Sequence, residues 1–557
     1  MNEMAPISRV RPGTTRNGGS ILVSALGLND IDRMFGVPGE SALPIFDALY
    51  GENNPIQFVV CRHEATASHM AEADGKMTGR PGICIVSRAP GAMHAAVGLH
   101  TAYQDSTPMI LIIGQVPRAY RGREAFQELN YTRVFADMTK WVGEIERADL
   151  IPEYVSRAFH IATQGRPGPV VLSVPEDVLG EESGVPDAVA VRPVEASPTP
   201  AQMQEVRSLL QAATRPLVIV GNLGWTVSAA ERFKEFVTKS DIPVIAGFRS
   251  QDVLDNRSDK YIGDLSLGGS PALRQRVKDA DLLLVIGDRL GDVTTKGYSL
   301  LDVPVPKQRL IHVFPGAEEL GRVYTPRLAI QAKSARFVDA LSCLEPLDNS
   351  AWRRWREEGR AAYVDYQSRP PKVVGFDLSQ VIRFLAERLP DDAIVTNGAG
   401  NYSIWLHRFY RYRQVGTQIA PKSGVMGYGL PAAIAAKLRH PDRDVICLAG
   451  DGCFTMASPE FATAVQRNLP IVTIIVNNSM YGSIRMHQEM HFPGRPSGTT
   501  LLNADFALFA QSYGAHGEAI EHHDGFPAAF ERAVNAKKPA IIELRVNGDQ
   551  LTPDRAL

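Results

Sequence analysis

The stretch Val445-Ile446-Cys447-Leu448-Ala449-Gly450-Asp451-Gly452-Cys453, continued by Ile471-Val472-Thr473-Ile474-Ile475-Val476-Asn477-Asn478, decides the fold. Each half opens with an apolar run too short for a helix core and closes on Gly, Asp or Asn, which is the pattern of a strand buried on both faces. The intervening residues suit a helix, so the segment reads as strand, helix, parallel strand. In such a unit the C-terminal ends of adjacent strands converge, bringing Asp451 near Asn478 although 27 residues separate them. A carboxylate and an amide oxygen there form a hard-oxygen site suited to Mg²⁺, which prefers few protein ligands plus phosphate oxygens. Gly450 and Gly452 admit close backbone approach, and the helix start offers free N–H groups to a diphosphate. Gly-Asp-Gly alone is a common turn; behind a strand, with Asn-Asn closing the next, it is far more specific.

At an offset of 362 residues the same rhythm recurs. ICIVSRAPG (83–91) lies over VICLAGDGC (445–453), and Pro108 and Pro470 both precede a second apolar strand. Any two strand–helix–strand units share this rhythm, so coincidence stays open beside the reading of two related domains. Related domains would give two versions of one sheet, with a ligand beyond the strand C-termini.

Further apolar runs divide the chain into three blocks. Residues 16–185 contain strand candidates Gly82–Ser87, Met109–Gly114 and Pro169–Val174. Residues 199–345 contain Leu217–Gly221, Pro243–Ala246, Leu282–Gly287 and Leu310–Phe314. Residues 375–548 contain Ala393–Thr396, Val445–Ala449, Ile471–Val476 and Ala540–Val546. The Pro-rich passages 184–200 and 366–374 read as linkers. The expected fold class is α/β, with three domains of parallel sheet flanked by helices.

The 557 residues are 44% hydrophobic and 22% charged, enough apolar material for several cores and too much for a disordered scaffold. The 59 basic and 61 acidic residues leave a formal charge of −2, so no basic field marks a nucleic-acid or anionic-membrane binder. The five cysteines form no C-x-x-C pair, which argues against a disulfide framework or a cysteine-rich zinc site. Arg9, Arg11 and Arg16 precede the apolar stretch Ile21–Leu28, but this is too short and too soon polar for a signal core. No apolar run approaches the ~18 residues of a membrane span. A cytoplasmic protein is expected.

In these motifs the chain resembles the thiamine-diphosphate enzymes, and its wider sequence resembles the acetolactate synthase group. The similarity covers nearly the whole chain. Gly424-Val425-Met426-Gly427-Tyr428-Gly429-Leu430-Pro431 is similar to that group's G-x-M-G-(F/Y)-G-L-P segment, Arg62-His63-Glu64-Ala65 to its H-E segment, and Ala125-Phe126-Gln127-Glu128 to its A-F-Q-E loop. The resemblance implies the thiamine-diphosphate-binding fold, with pyrimidine-binding, middle and diphosphate-binding domains. It further implies that Glu64, on its own a plain helix-start carboxylate, hydrogen-bonds the cofactor's aminopyrimidine ring. Met426, on its own ordinary core, becomes a wedge that orients the cofactor. The carbonyl of Gly424 and amide of Met426 would bind the pyrimidine. Gly450, Asp451, Gly452, Cys453, Asn478, Met480, Tyr481 and Gly482 would line the diphosphate. Asp451, Asn478 and the Met480 carbonyl would hold Mg²⁺. Asn401 and Tyr402 occupy the place where the family contacts the diphosphate from the other side, although a helix-start loop reads there equally well. Gln127, with Phe126 beside it, would face the substrate.

The implied reaction is decarboxylation of a 2-oxo acid such as pyruvate, with transfer of the remaining fragment to a second carbonyl. The alternative is a 2-oxo acid decarboxylase, similar to benzoylformate decarboxylases, that releases an aldehyde. Departures bear on this choice. Tyr481, Ser483, Ile484 and His487 differ from the group's L-G-M-V-x-Q-W, and His94 stands where an Asn is usual. His94 and His487 can each be a site residue or an ordinary one. In the middle block, Gly221-Asn222-Leu223-Gly224 and Leu267-Gly268-Gly269-Ser270 depart from the flavin-binding pattern, so FAD is not favoured. The resemblance also implies a homodimer or homotetramer with the active site between subunits.

Overall fold

A computed structural model describes residues 14–50, 54–373 and 375–557. Arg9 and Arg11 lie outside the described residues. The apolar runs become the inner strands of three six-stranded parallel sheets. The first contains β1 (Arg33–Gly36), β2 (Gln57–Val60), β3 (Gly82–Val86), β4 (Met109–Gln115), β5 (Trp141–Glu144) and β6 (Pro169–Pro175), in the order β2-β1-β3-β4-β6-β5. The second contains β7 (Pro216–Val220), β8 (Val244–Ala246), β9 (Tyr261–Asp264), β10 (Leu282–Ile286), β11 (Arg309–Phe314) and β12 (Leu328–Gln331), ordered β9-β8-β7-β10-β11-β12. The third contains β13 (Ile394–Asn397), β14 (Gln418–Ile419), β15 (Val445–Gly450), β16 (Val472–Asn477), β17 (His516–Ile520) and β18 (Ala540–Arg545), ordered β14-β13-β15-β16-β18-β17. Among the described residues no helix is long and apolar enough to cross a membrane.

The first and third sheets therefore share one strand order, as the repeat at offset 362 anticipates. The second has the order of dinucleotide-binding folds. One difference separates the related halves. The helix after β3 runs unbroken over Ala89–Asp105, whereas the stretch after β15 breaks into Asp451–Thr455, a 3₁₀ turn Ser458–Glu460 and Phe461–Gln466. Pro459 causes the break, since it lacks an N–H and its ring excludes a continuing helix. The expected linker 366–374 is also shortened, because the helix Arg353–Ser368 claims its first residues.

By packing, the chain forms two compact units. One comprises residues up to 194 together with 434–439 and 457–467; the other comprises 195–433, 440–456 and 468–557. Within the first unit Arg439 pairs with Asp32 at 2.6 Å and with Asp74 at 2.8 Å. Glu460, fully buried, accepts from the main-chain N–H of Arg62 at 3.1 Å, from Thr463 Oγ1 at 2.5 Å and from Thr66 Oγ1.

Burial of His69 on the helix Glu64–Thr78, helped by nearby Lys76, holds its pKa down to about 4. A histidine kept neutral by folding binds its proton more readily when unfolded. Its stability contribution is therefore intact above about 6.5 and is lost as pH falls toward 4. We expect the wild type to lose about 2 kcal/mol relative to His69→Gln between pH 7.5 and pH 5, read by denaturant titration at both values; a pH-independent difference would contradict this.

Candidate functional site

Parallel pairing of β15 with β16 sets Gly450 opposite Val476, so the residues that follow emerge side by side at one sheet edge. A cavity of about 230 Å³ opens there. Its walls include Gly450, Asp451, Gly452 and Cys453 from the first loop, and Asn478, Met480, Tyr481 and Gly482 from the second. Asn401 and Tyr402, after β13, and Gly424 and Met426, after β14, complete the polar and apolar rim. The ten residues anticipated at the diphosphate and the two anticipated at the pyrimidine, Gly424 and Met426, thus line one space.

Asp451 is buried at the cavity, and burial raises its pKa. The N–H of Gly452, the Asn503 amide and the N–H groups of Ser479 and Met480 act in the opposite direction. Asn503 donates to Asp451 Oδ2 at 2.8 Å and to Asn477 Oδ1 at 2.9 Å, tying the two strand-end loops together. Asn478 Oδ1 accepts from the Met480 N–H at 3.3 Å, and the Met480 carbonyl accepts from the Gly482 N–H at 2.9 Å. The loop is held from outside by Tyr481 N–H to Thr499 O at 2.9 Å and Leu501 N–H to Ser479 O at 2.8 Å. A carboxylate, a side-chain amide oxygen and a carbonyl with a second lone pair are a donor set that fits Mg²⁺.

Opposite, Tyr402 is a wall rather than a free donor. Its hydroxyl accepts from Gly398 N–H at 3.1 Å and donates to Cys453 Sγ at 3.4 Å; that sulfur also accepts from Gly427 N–H at 3.2 Å. Asn401 Oδ1 accepts from Ser483 Oγ at 2.9 Å. Met426 packs, half-buried, against the core of the third sheet. Arg249, buried, donates to Gly398 O at 2.7 Å and to Pro421 O, fixing the loops that carry Asn401 and Met426. Arg249 and Asn503 escape sequence reasoning, because neither belongs to a motif and each acts from a distant segment. His487 is exposed, stacked 6.4 Å from His491.

Glu64 and Gln127 belong to the other unit. Glu64 opens the helix Glu64–Thr78, capped by His63, whose Nδ1 accepts from Ala65 N–H at 3.1 Å. Its Oε2 lies 2.9 Å from His94 Nδ1. Gln127 sits at φ +64°, a strained conformation for a non-glycine residue. Its loop is pinned by Gln127 O, which accepts from Ala89 N–H at 3.3 Å, and by Glu128, which accepts from Gly122 N–H at 2.7 Å and Ala125 N–H at 3.0 Å. Phe126 beside it is 74% exposed.

The glycine at 452 is required by contact. A Cβ there would stand 2.7 Å from the Tyr481 ring and 3.2 Å from Leu501. Gly452→Ala should cost about 1–3 kcal/mol of stability, and adding Tyr481→Ala should recover most of it. A double-mutant cycle by denaturant titration checks this; simple additivity would refute the contact.

Three family models match the chain in order. The thiamine pyrophosphate enzyme N-terminal TPP binding domain matches residues 16–134, the central domain 203–341 and the C-terminal TPP binding domain 398–544. Among curated relatives, the acetolactate synthase isozyme 2 large subunit of Escherichia coli is 28% identical over 533 residues, covering 95% of this chain and 96% of that protein. The acetolactate synthase large subunit of Parasynechococcus marenigrum is 30% identical over 551 residues, covering 96% and 88%. A probable acetolactate synthase large subunit of Methanocaldococcus jannaschii is 29% identical over 559 residues, covering 96% and 93%.

Proposed function

Because the chain belongs to the thiamine pyrophosphate enzyme family and is similar over nearly its full length to acetolactate synthase large subunits, we propose that it is a thiamine-diphosphate- and Mg²⁺-dependent carboligase. Its substrate would be a 2-oxo acid such as pyruvate, joined after loss of CO₂ to a second carbonyl. The observation that carries this reading is that Asp451 and Asn478, just beyond the paired residues Gly450 and Val476 of adjacent strands, line one cavity of about 230 Å³. The three family-model matches fall inside the blocks 16–185, 199–345 and 375–548, which supports that division into pyrimidine-binding, middle and diphosphate-binding domains.

When bound, thiamine diphosphate supplies the carbon nucleophile and the electron sink for decarboxylation. The protein's part is to hold, orient and exclude water. Asp451, Asn478 and the Met480 carbonyl would hold the metal. Gly450, Gly452, Cys453, Tyr481 and Gly482 would shape the diphosphate wall, with Asn401 and Tyr402 opposite. The Gly424 carbonyl and the Met426 amide would receive the pyrimidine, and the Met426 side chain would orient it. The Glu64 carboxylate would share a proton with the pyrimidine ring. Gln127, with Phe126 as a wall, meets the substrate.

FAD is not favoured, because Gly221-Asn222-Leu223-Gly224 and Leu267-Gly268-Gly269-Ser270 depart from the flavin-binding pattern. A homodimer or homotetramer is proposed, supported by exposed apolar side chains near the site residues of each unit. These are Met93 and Phe126 in one, and Ile484, Phe492 and Leu502 in the other.

The test is turnover of a panel of 2-oxo acids with acceptor carbonyls, analysed by mass spectrometry. A condensed hydroxyketone or hydroxy acid supports carboligation; free aldehyde alone selects the decarboxylase alternative. Glu64→Gln should retain the cofactor and lose turnover by about 10²–10⁴-fold, and full activity would refute the assigned role. Asp451→Ala should abolish divalent-dependent cofactor binding, measured by calorimetry with and without Mg²⁺; unchanged affinity would remove Asp451 from the metal site.

A further inference from the structure

The start of the helix Glu64–Thr78 carries a group of titratable side chains that the proposed function uses only in part. His63, Glu64 and His94 each offer an atom within 4.8 Å of the others. Glu64 Oε2 is 2.9 Å from His94 Nδ1, and the two imidazole rings lie 4.5 Å apart at 30°. Glu64 is the most sheltered, its side chain 17% exposed against 53% for His94.

The hydrogen bonds fix who donates. His63 Nδ1 accepts from the Ala65 N–H, so a neutral His63 carries its proton on Nε2. An ionised Glu64 can only accept, so His94 donates from Nδ1 and leaves Nε2 as an acceptor toward solvent. The two carboxylate oxygens are thereby divided. Oε2 is committed to His94. Oε1 faces Gly91, where a Cβ would stand only 3.2 Å away, so the missing side chain leaves that oxygen accessible. Gly91 and His94 sit on adjacent turns of the helix Ala89–Asp105, one opening the space and the other holding the carboxylate in it.

We propose that His94 is a positioning residue for Glu64: it fixes the carboxylate through Oε2 and reserves Oε1 for the pyrimidine ring. This rests on the function proposed above. By donating to Oε2, His94 holds the carboxylate in one orientation and leaves Oε1 as the oxygen free to meet the ring. The titratable groups facing His94 are Glu64 and His63. Behind Glu64, on β3, lies the thiol of Cys84, pushed up first by burial and further by the Glu64 charge. Arg88, at the start of the helix that carries His94, is turned away to Glu176 at 2.5 Å.

Long-range ¹H–¹⁵N correlation spectra of the histidine-labelled full-length apoprotein read the tautomer of each imidazole, without cofactor or substrate. The expected result is that His94 carries its proton on Nδ1 in the wild type and loses that preference in Glu64→Ala, while the exposed His487 is unmoved. In the loaded enzyme, His94→Gln, which keeps a donor, should preserve cofactor affinity and most of kcat. His94→Ala should lower kcat about 10-fold or more with little change in KM. An unchanged His94 tautomer in Glu64→Ala, or full kcat in His94→Ala, overturns the role. Failure of the wild type to bind thiamine diphosphate overturns the functional reading and the role with it. Binding with an indifferent His94 overturns the role alone.

Discussion

The register between two neighbouring strands carries the chemistry of this chain. Because β15 and β16 are parallel and adjacent, with Gly450 set against Val476, a carboxylate and an amide far apart in sequence leave the sheet at the same edge. The hydrogen bonds of the ladder fix that coincidence, and everything else at the cavity is fitted to it. Asn503 bridges the loops, the 499–501 segment holds the second from outside, and Arg249 steadies the facing loops through two carbonyls. A one-residue slip would turn the donors away together, since alternate residues face opposite sides.

The sheets that share a strand order put chemistry at corresponding places. The loop and helix after β15 carry Asp451 and Gly452; the helix after β3 carries Gly91 and His94. One version sets a carboxylate at the cavity, and the other shelters a carboxylate beside an imidazole. Interrupting the helix at Pro459 frees Glu460 to turn inward toward Arg62 and Thr66, which a continuous helix like Ala89–Asp105 has no equivalent means of doing.

Most inner strands were legible because burial on both faces leaves an unbroken apolar run: Gly82–Val86, Leu282–Ile286 and Val445–Gly450 differ from the sequence-based ranges by a residue at most, whereas Arg33–Gly36, four residues opening on a charge, was not read. Most edge strands were not, because a strand with one neighbour need not be apolar throughout. Trp141–Glu144, Leu328–Gln331 and His516–Ile520 are short or half-exposed and carry charged or polar residues. At the site, residues inside compact motifs were readable, since glycine spacing and strand ends leave a local signature. Asn503 and Arg249 leave none, as each is defined only by what folding brings to it. The pairing of His94 with Glu64 likewise needs two helix starts placed side by side.

The composition of the first compact unit has a consequence for synthesis. That unit draws on residues 434–439 and 457–467, which supply the guanidinium for Asp32 and Asp74 and the buried carboxylate for Arg62 and Thr66. A ribosome delivers these partners only after most of the chain has emerged. The N-terminal sheet must wait for the partners of Asp32, Asp74, the Arg62 N–H and the Thr66 hydroxyl until residues 434–467 have been made. The order of manufacture and the order of completion therefore run in opposite directions, and the earliest-made part is among the last to become whole.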